Sequence, residues 1–119
     1  MELCELGAAE LARRIAAGEL RSGEVVEAHI ARIEAVNPKL NAVIARRYDD
    51  ARREAKAADE LRARGVVLPP LHGVPVTIKD SIDVAGLAST FGIPTLRNNH
   101  AKNDEVHVAR LRAAGAIVL

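Results

Sequence analysis

The 119-residue sequence contains no tryptophan and only one phenylalanine, one tyrosine and one cysteine. A chain so poor in aromatics has no platform on which nucleobases stack. Cys4 lacks a partner for an internal disulfide, which suits a reducing compartment, and no Cys/His cluster has zinc-ligand spacing, so neither metal nor cofactor is expected. An excess of either charge is also missing. Lys plus Arg number 17 against 16 Asp plus Glu, a net charge of +1, far from the basic imbalance that drives phosphate-backbone binding, so nucleic acid is not an expected partner. No apolar run reaches membrane-spanning length, and the first residues carry Glu2 and Glu5 where a secretory leader needs a basic segment. The expectation is a cytoplasmic protein with no membrane span.

What is present is an ordinary globular balance, 49% apolar and 28% charged, in a chain the size of one domain. A domain this long buries about 65% of the surface its unfolded chain exposes, which suffices for folding without covalent staples. With so few aromatics the core must be built from Ala, Val, Leu and Ile.

Residues 1–65 read as a mainly helical lead-in. Leu11 and Ile15 lie four apart in a first helix over 6–17, and Gly18 supplies a left-handed stop. Ser22 caps a second helix whose apolar residues Val26, Ile30, Ile33 and Val36 recur at helical spacing, and Glu24 sits in its first turn. Pro38 should end that helix near Asn37, because the residue before a proline is pushed out of helical geometry. Val43 and Ile44 predict a short strand within 40–48, and an Ala- and charge-rich helix follows over 49–64, ended by Gly65. The charges Arg52, Arg53, Glu54 and Lys56 read as a solvated helix face, His29 as a packed or boundary residue, and Cys4 as inert beside a mobile terminus.

Residues 66–119 read as strand, loop, helix, strand. Val74, Val76 and Ile78 alternate with Pro75 and Thr77, so a strand runs to Lys79, with Pro75 near its start where no ladder donor is needed. Most strand-end lysines are plain surface residues. Lysine is scarce here, however: of Lys39, Lys56, Lys79 and Lys102, only Lys79 emerges from an apolar run. Lysine, unlike arginine, can release its proton when desolvated. Lowering its pKa from about 10.4 to near 7 or 8 costs roughly 4 kcal/mol of differential stabilisation, so a general-base lysine is chemically feasible at this position. Asn103 or Asp104 then caps a helix with Val108, Leu111 and Ala114 on its apolar side, and Ala116 to Leu119 opens a second strand. The order implies a βαβ unit.

The run Leu71-His72-Gly73-Val74-Pro75-Val76-Thr77-Ile78-Lys79-Asp80, followed by Asp83-x-x-Gly86, Ser89-Thr90-x-Gly92 and Leu111-Arg112-Ala113-Ala114-Gly115-Ala116-Ile117-Val118, resembles the N-terminal part of an amidase signature enzyme. The resemblance implies an α/β fold with a mixed sheet and flanking helices, incomplete over residues 1–119. It implies a hydrolase of linear carboxylic amides using a Ser, cis-Ser, Lys triad without a cofactor, with Lys79 as the general base. Asp80, Ser81, Thr90 and Phe91 are candidates to hydrogen-bond around that lysine or to line the substrate channel. Family members carry both serines in a Gly/Ser-rich segment well downstream, and these residues hold no such segment. The expectation is an N-terminal portion, inactive alone, that self-associates through a sheet edge exposed at Val118 and Leu119. Departures from the family pattern stand at Ile93 and Glu105; by analogy, Ile93 with Phe91 favours an apolar substrate.

The serines present are poor substitutes for the missing ones. Ser22 is read as a cap and Ser89 as a loop residue. Ser81 would share a face with Lys79 only if the strand continued past it. His72 lies at the opposite end of the strand from Lys79, too far for a triad with Asp80 or Asp83. The competing reading is a non-catalytic α/β binding or interaction module that retained the scaffold.

Overall fold

A computed structural model describes residues 2–119. Four helices, α1 (Ala8–Ala17), α2 (Ser22–Leu40), α3 (Tyr48–Ala63) and α4 (Val106–Ala113), accompany two short strands, β1 (Pro75–Val76) and β2 (Ile117–Val118). Leu11 and Ile15 of α1 are buried against Val25 and Val74, and Gly18 ends the helix at φ +75° as expected. Leu3 and Leu6 pack on the same group, so Cys4 lies in an ordered 3₁₀ turn rather than a loose terminus, its thiol donating to the Ala28 carbonyl at 3.3 Å.

Helix α2 departs from expectation at both ends. It passes through Pro38 to Leu40, where Asn41 closes it at φ +50° with its N–H on the Asn37 carbonyl. The buried Asn37 side chain explains the extension. Its Oδ1 accepts the Ala42 and Val43 amides, both at 2.8 Å, and its Nδ2 donates to the Val43 carbonyl, so one amide rebuilds the hydrogen bonds that a proline-broken end would lose. The same bonds consume donors that a strand over 40–48 would need, and no strand forms there. At the other end Ser22 is not the cap. Asp59 of α3 receives the Ser22 and Gly23 amides at 2.7 and 3.0 Å, a carboxylate on the positive end of a neighbouring helix. The Ser22 hydroxyl instead donates to the Gly73 carbonyl at 2.8 Å, fastening α2 to the segment that enters β1.

Ala51 and Ala55 present no bulk, so α3 lies close against Val26 and Ile30 of α2 with Tyr48, Ile117 and Leu119 completing the group. Val84, Val108 and Val118 form a further apolar group under α4. The strands pair in parallel, Pro75 opposite Ile117 and Val76 opposite Val118. Pro75 is the first residue of β1, where its missing N–H costs nothing. The ladder stops at Val76, three residues short of Lys79. The mixed sheet expected from the resemblance is therefore a two-stranded parallel one among the described residues.

Two further expectations are corrected. Helix α4 is capped by Glu105, whose carboxylate accepts the His107 amide at 2.8 Å, while Asp104 accepts the Ala85 amide instead. Val118 and Leu119 are buried at 1% and 6% exposure rather than forming an open edge. The Val118 carbonyl accepts from Arg47 Nη1 at 2.7 Å. The Arg47 side chain is 9% exposed and bound through both terminal nitrogens to Glu54, which also meets Arg112. A guanidinium fork thus occupies the carbonyl an added strand would seek. No helix among the described residues is long and apolar enough to cross a membrane.

Candidate active site

The chain leaving β1 opens onto a cleft of about 490 Å³. One wall is Thr77, Ile78, Lys79 and Asp80; the opposite wall is the 42–45 segment held by Asn37; Ile82, Val84, Leu87 and Ala88 continue it, and Val118 and Leu119 also line it. The lining is largely aliphatic, and Lys79 is its only cation. Lys79 is exposed and makes no side-chain hydrogen bond or ion pair among the described residues.

Immediately after Lys79 the chain turns, with the Ile82 amide on the Lys79 carbonyl at 2.9 Å. The turn removes the condition under which Ser81 would share a strand face with Lys79. Asp80 points to the neighbouring loop, where its Oδ2 accepts from Thr90 Oγ1 at 2.9 Å and from the Thr90 amide at 3.3 Å. Thr90 Oγ1 accepts the Gly92 amide at 3.1 Å. Between them Phe91 has φ +53° and an exposed ring. Structure thus joins Asp80 to Thr90 and sets Phe91 next to them in the chain, while Ser81, half-buried, makes no side-chain hydrogen bond among the described residues.

The other candidates are committed elsewhere. Ser89 is buried, with its hydroxyl on the Asp80 carbonyl at 3.5 Å, and Ser22 is held by Gly73. His72 is buried and donates Nε2–H to the Ala58 carbonyl at 2.8 Å; His29 donates Nδ1–H to Val25. No three His, Cys, Asp or Glu side chains among the described residues group as metal ligands. The shifted carboxylates belong to the scaffold: Arg13 and Arg14 hold Glu10 down to about 2, and the His107 amide lowers Glu105. Sequence reasoning missed Asn37, which shapes the 42–45 wall, and Arg47, which ties that segment to β2. Asn before Pro reads as a stop signal, and nothing distinguishes half-buried Arg47 from exposed Arg46 in a linear pattern.

Known proteins are similar to this chain in sequence and in fold. The chain is 43% identical over 112 residues to the indoleacetamide hydrolase of Bradyrhizobium diazoefficiens, covering 94% of this chain and 21% of that enzyme. It is 41% identical over 114 residues to an acylamidase of Rhodococcus erythropolis, covering 96% of this chain and 24% of that one. The solved peptide amidase of Stenotrophomonas maltophilia superposes with a TM-score of 0.87 at 40% identity, over 97% of this chain and 24% of its own. The chain thus spans between a fifth and a quarter of the length of these relatives. Residues 24–119 match the family described as Amidase, and the chain belongs to that family, the amidase signature enzymes.

Proposed function

We propose that this chain is the lysine-bearing N-terminal portion of an amide hydrolase in which Lys79 is the general base of a Ser, cis-Ser, Lys triad. The observation that carries the reading is Lys79 itself, opening onto an aliphatic cleft without a counter-ion among the described residues. In the neutral form its amine accepts the proton of a bridging serine, which in turn takes the proton of the nucleophilic serine. The nucleophile's oxygen bonds to the amide carbonyl carbon, the C–N bond breaks, and the relayed proton leaves with the amine. Water then cleaves the acyl-enzyme by the same relay. Both serines lie outside residues 1–119, and the residues that bear them also cover Lys79 and supply the desolvation it needs. The aliphatic lining, with Phe91 and Ile93 exposed nearby in the chain, suits a small linear amide bearing an apolar group.

The isolated chain should neither hydrolyse an aryl amide nor be labelled by a serine-directed fluorophosphonate; turnover or labelling would show that a serine present here is the nucleophile. Grafted in place of the matched quarter of the Rhodococcus acylamidase, the chain should support turnover, and Lys79→Ala in that graft should lower kcat by roughly 10²–10⁴-fold. Turnover retained in Lys79→Ala removes the lysine from the mechanism.

A further inference from the structure

Phe91 poses a problem that its own side chain does not solve. A bulky residue at φ +53° occupies a sparsely populated backbone region and stays there only when its surroundings over-determine it. Phe91 is 63% exposed as a residue, so burial of its side chain does not hold it. Gly92 continues the turn at φ +70°.

What holds this turn is polar and originates beside Lys79. The Asp80 carboxylate accepts both the hydroxyl and the amide of Thr90. A hydroxyl that donates to Asp80 has its lone pairs free to accept, and Thr90 Oγ1 receives the Gly92 amide. The Thr90 carbonyl takes the Ile93 amide at 2.8 Å, closing a turn around Phe91. One carboxylate thus orients the residue before Phe91 and, through its hydroxyl, the residue after it. Asp80 forms no ion pair with Lys79 among the described residues, so its charge is directed to the loop rather than spent on the base.

We propose that Asp80, a cleft-lining residue next in the chain to Lys79, is a positioning residue that acts through Thr90 to hold Phe91 in its left-handed conformation, so that the exposed ring, itself outside the cleft lining, extends the cleft toward the apolar group of the amide substrate. The proposal rests on the reading of this cleft as an amidase site, and its first test is independent of activity. Because Phe91 is the one phenylalanine of the sequence, chain grown with 4-fluorophenylalanine has a single ¹⁹F resonance. Likewise Tyr48, the one tyrosine, reports by fluorescence on the separate α2–α3 core.

Thr90→Val, isosteric but unable to donate or accept, should shift the ¹⁹F line or split it into several, and Asp80→Ala should do the same. Thr90→Ser, which restores the hydroxyl, should return it to the wild-type position, and Lys79→Ala should not move it. Tyr48 fluorescence should be unchanged throughout. An unmoved line in both Thr90→Val and Asp80→Ala overturns the proposal, as does a line that moves only together with the Tyr48 signal, since the role would then be general stability. In the grafted enzyme, Thr90→Val should raise KM for an aryl amide by about tenfold with kcat nearly preserved. A fall in kcat at constant KM would show that the ring is not a substrate contact. If instead Lys79→Ala keeps its turnover while the ¹⁹F results hold, the assignment of the base fails and the role of Asp80 in setting the loop stands.

Discussion

A methyl group on residue 115 would lie 2.7 Å from the Cα of His72 and 2.9 Å from its backbone nitrogen, and Gly115 has φ +96°. Backbone cannot swing aside as a long side chain can. Around it the Leu71 amide binds the Ala114 carbonyl and the Gly73 amide binds the Gly115 carbonyl, at 2.7 and 2.9 Å, so the close approach is stitched on both sides. Gly115→Ala should therefore destabilise the chain by about 3 kcal/mol or more, read as a lowered urea midpoint at unchanged slope. A loss under about 1 kcal/mol would show that the 71–73 segment yields easily. At this scale the linear pattern was informative wherever a residue's chemistry is local. Gly18 stops α1 because a left-handed conformation is a property of one residue, and Lys79 stands out as a lone lysine after an apolar run. It was uninformative where one side chain serves a distant backbone, as with Ser22 on Gly73, Arg47 on Val118 and His72 on Ala58.

Among the elements, α1 carries an exposed cluster in which Glu10 bonds Arg13 and Arg14 while Glu19 also meets Arg13. The two guanidinium groups hold the Glu10 carboxyl down to about 2 from 4.5. A depressed carboxylate pKa contributes stability that is fully present above the unfolded value and is lost as pH falls through the folded one. The contribution should thus disappear between pH 4.5 and about 2. Because the group is exposed, added salt should shrink it. Urea midpoints for wild type and Glu10→Gln should converge across that interval; parallel curves would mean that the pairs contribute nothing measurable. Helix positions followed from apolar spacing to within a residue or so, but their ends did not. Glu105 rather than Asp104 caps α4, and Asp59 rather than Ser22 serves α2, because a cap is chosen by which oxygen lies near the free amides in space.

At the scale of the whole molecule, the described residues form three modest apolar groups, around Ile30, Ile15 and Val108, instead of one large core. Its radius of gyration, 14.8 Å, exceeds the value of about 13.5 Å typical of a compact chain this long. Such a structure depends on ties between its parts, and one polar tie is Arg47, which joins the loop before α3 to β2 and to Glu54, with Arg112 of α4 on the other side of that carboxylate. Arg47→Met keeps the bulk but leaves the Val118 carbonyl without its donor. It should cost about 1–3 kcal/mol and speed amide exchange at Leu119, while α1 amides remain protected. Exchange that rises equally everywhere would show that Arg47 supports global stability alone. The cleft is also a whole-molecule property. Thr77 to Asp80 and 42–45 are separated by more than 30 residues and meet because Ser22, Asp59 and Arg47 lock α2, α3 and the strands together.

From sequence alone came the helices, the parallel βαβ order and the family, since periodicity, glycine stops and a motif all act over a few neighbouring residues. Tertiary structure decided the rest: that 40–48 is a tethered cleft wall and not a strand, that the β2 edge is occupied by Arg47, that Lys79 is exposed, and that Asp80 is bound to Thr90. Each depends on which donor meets which acceptor across distant parts of the chain, and buried polar groups are satisfied in three dimensions, wherever a partner happens to lie.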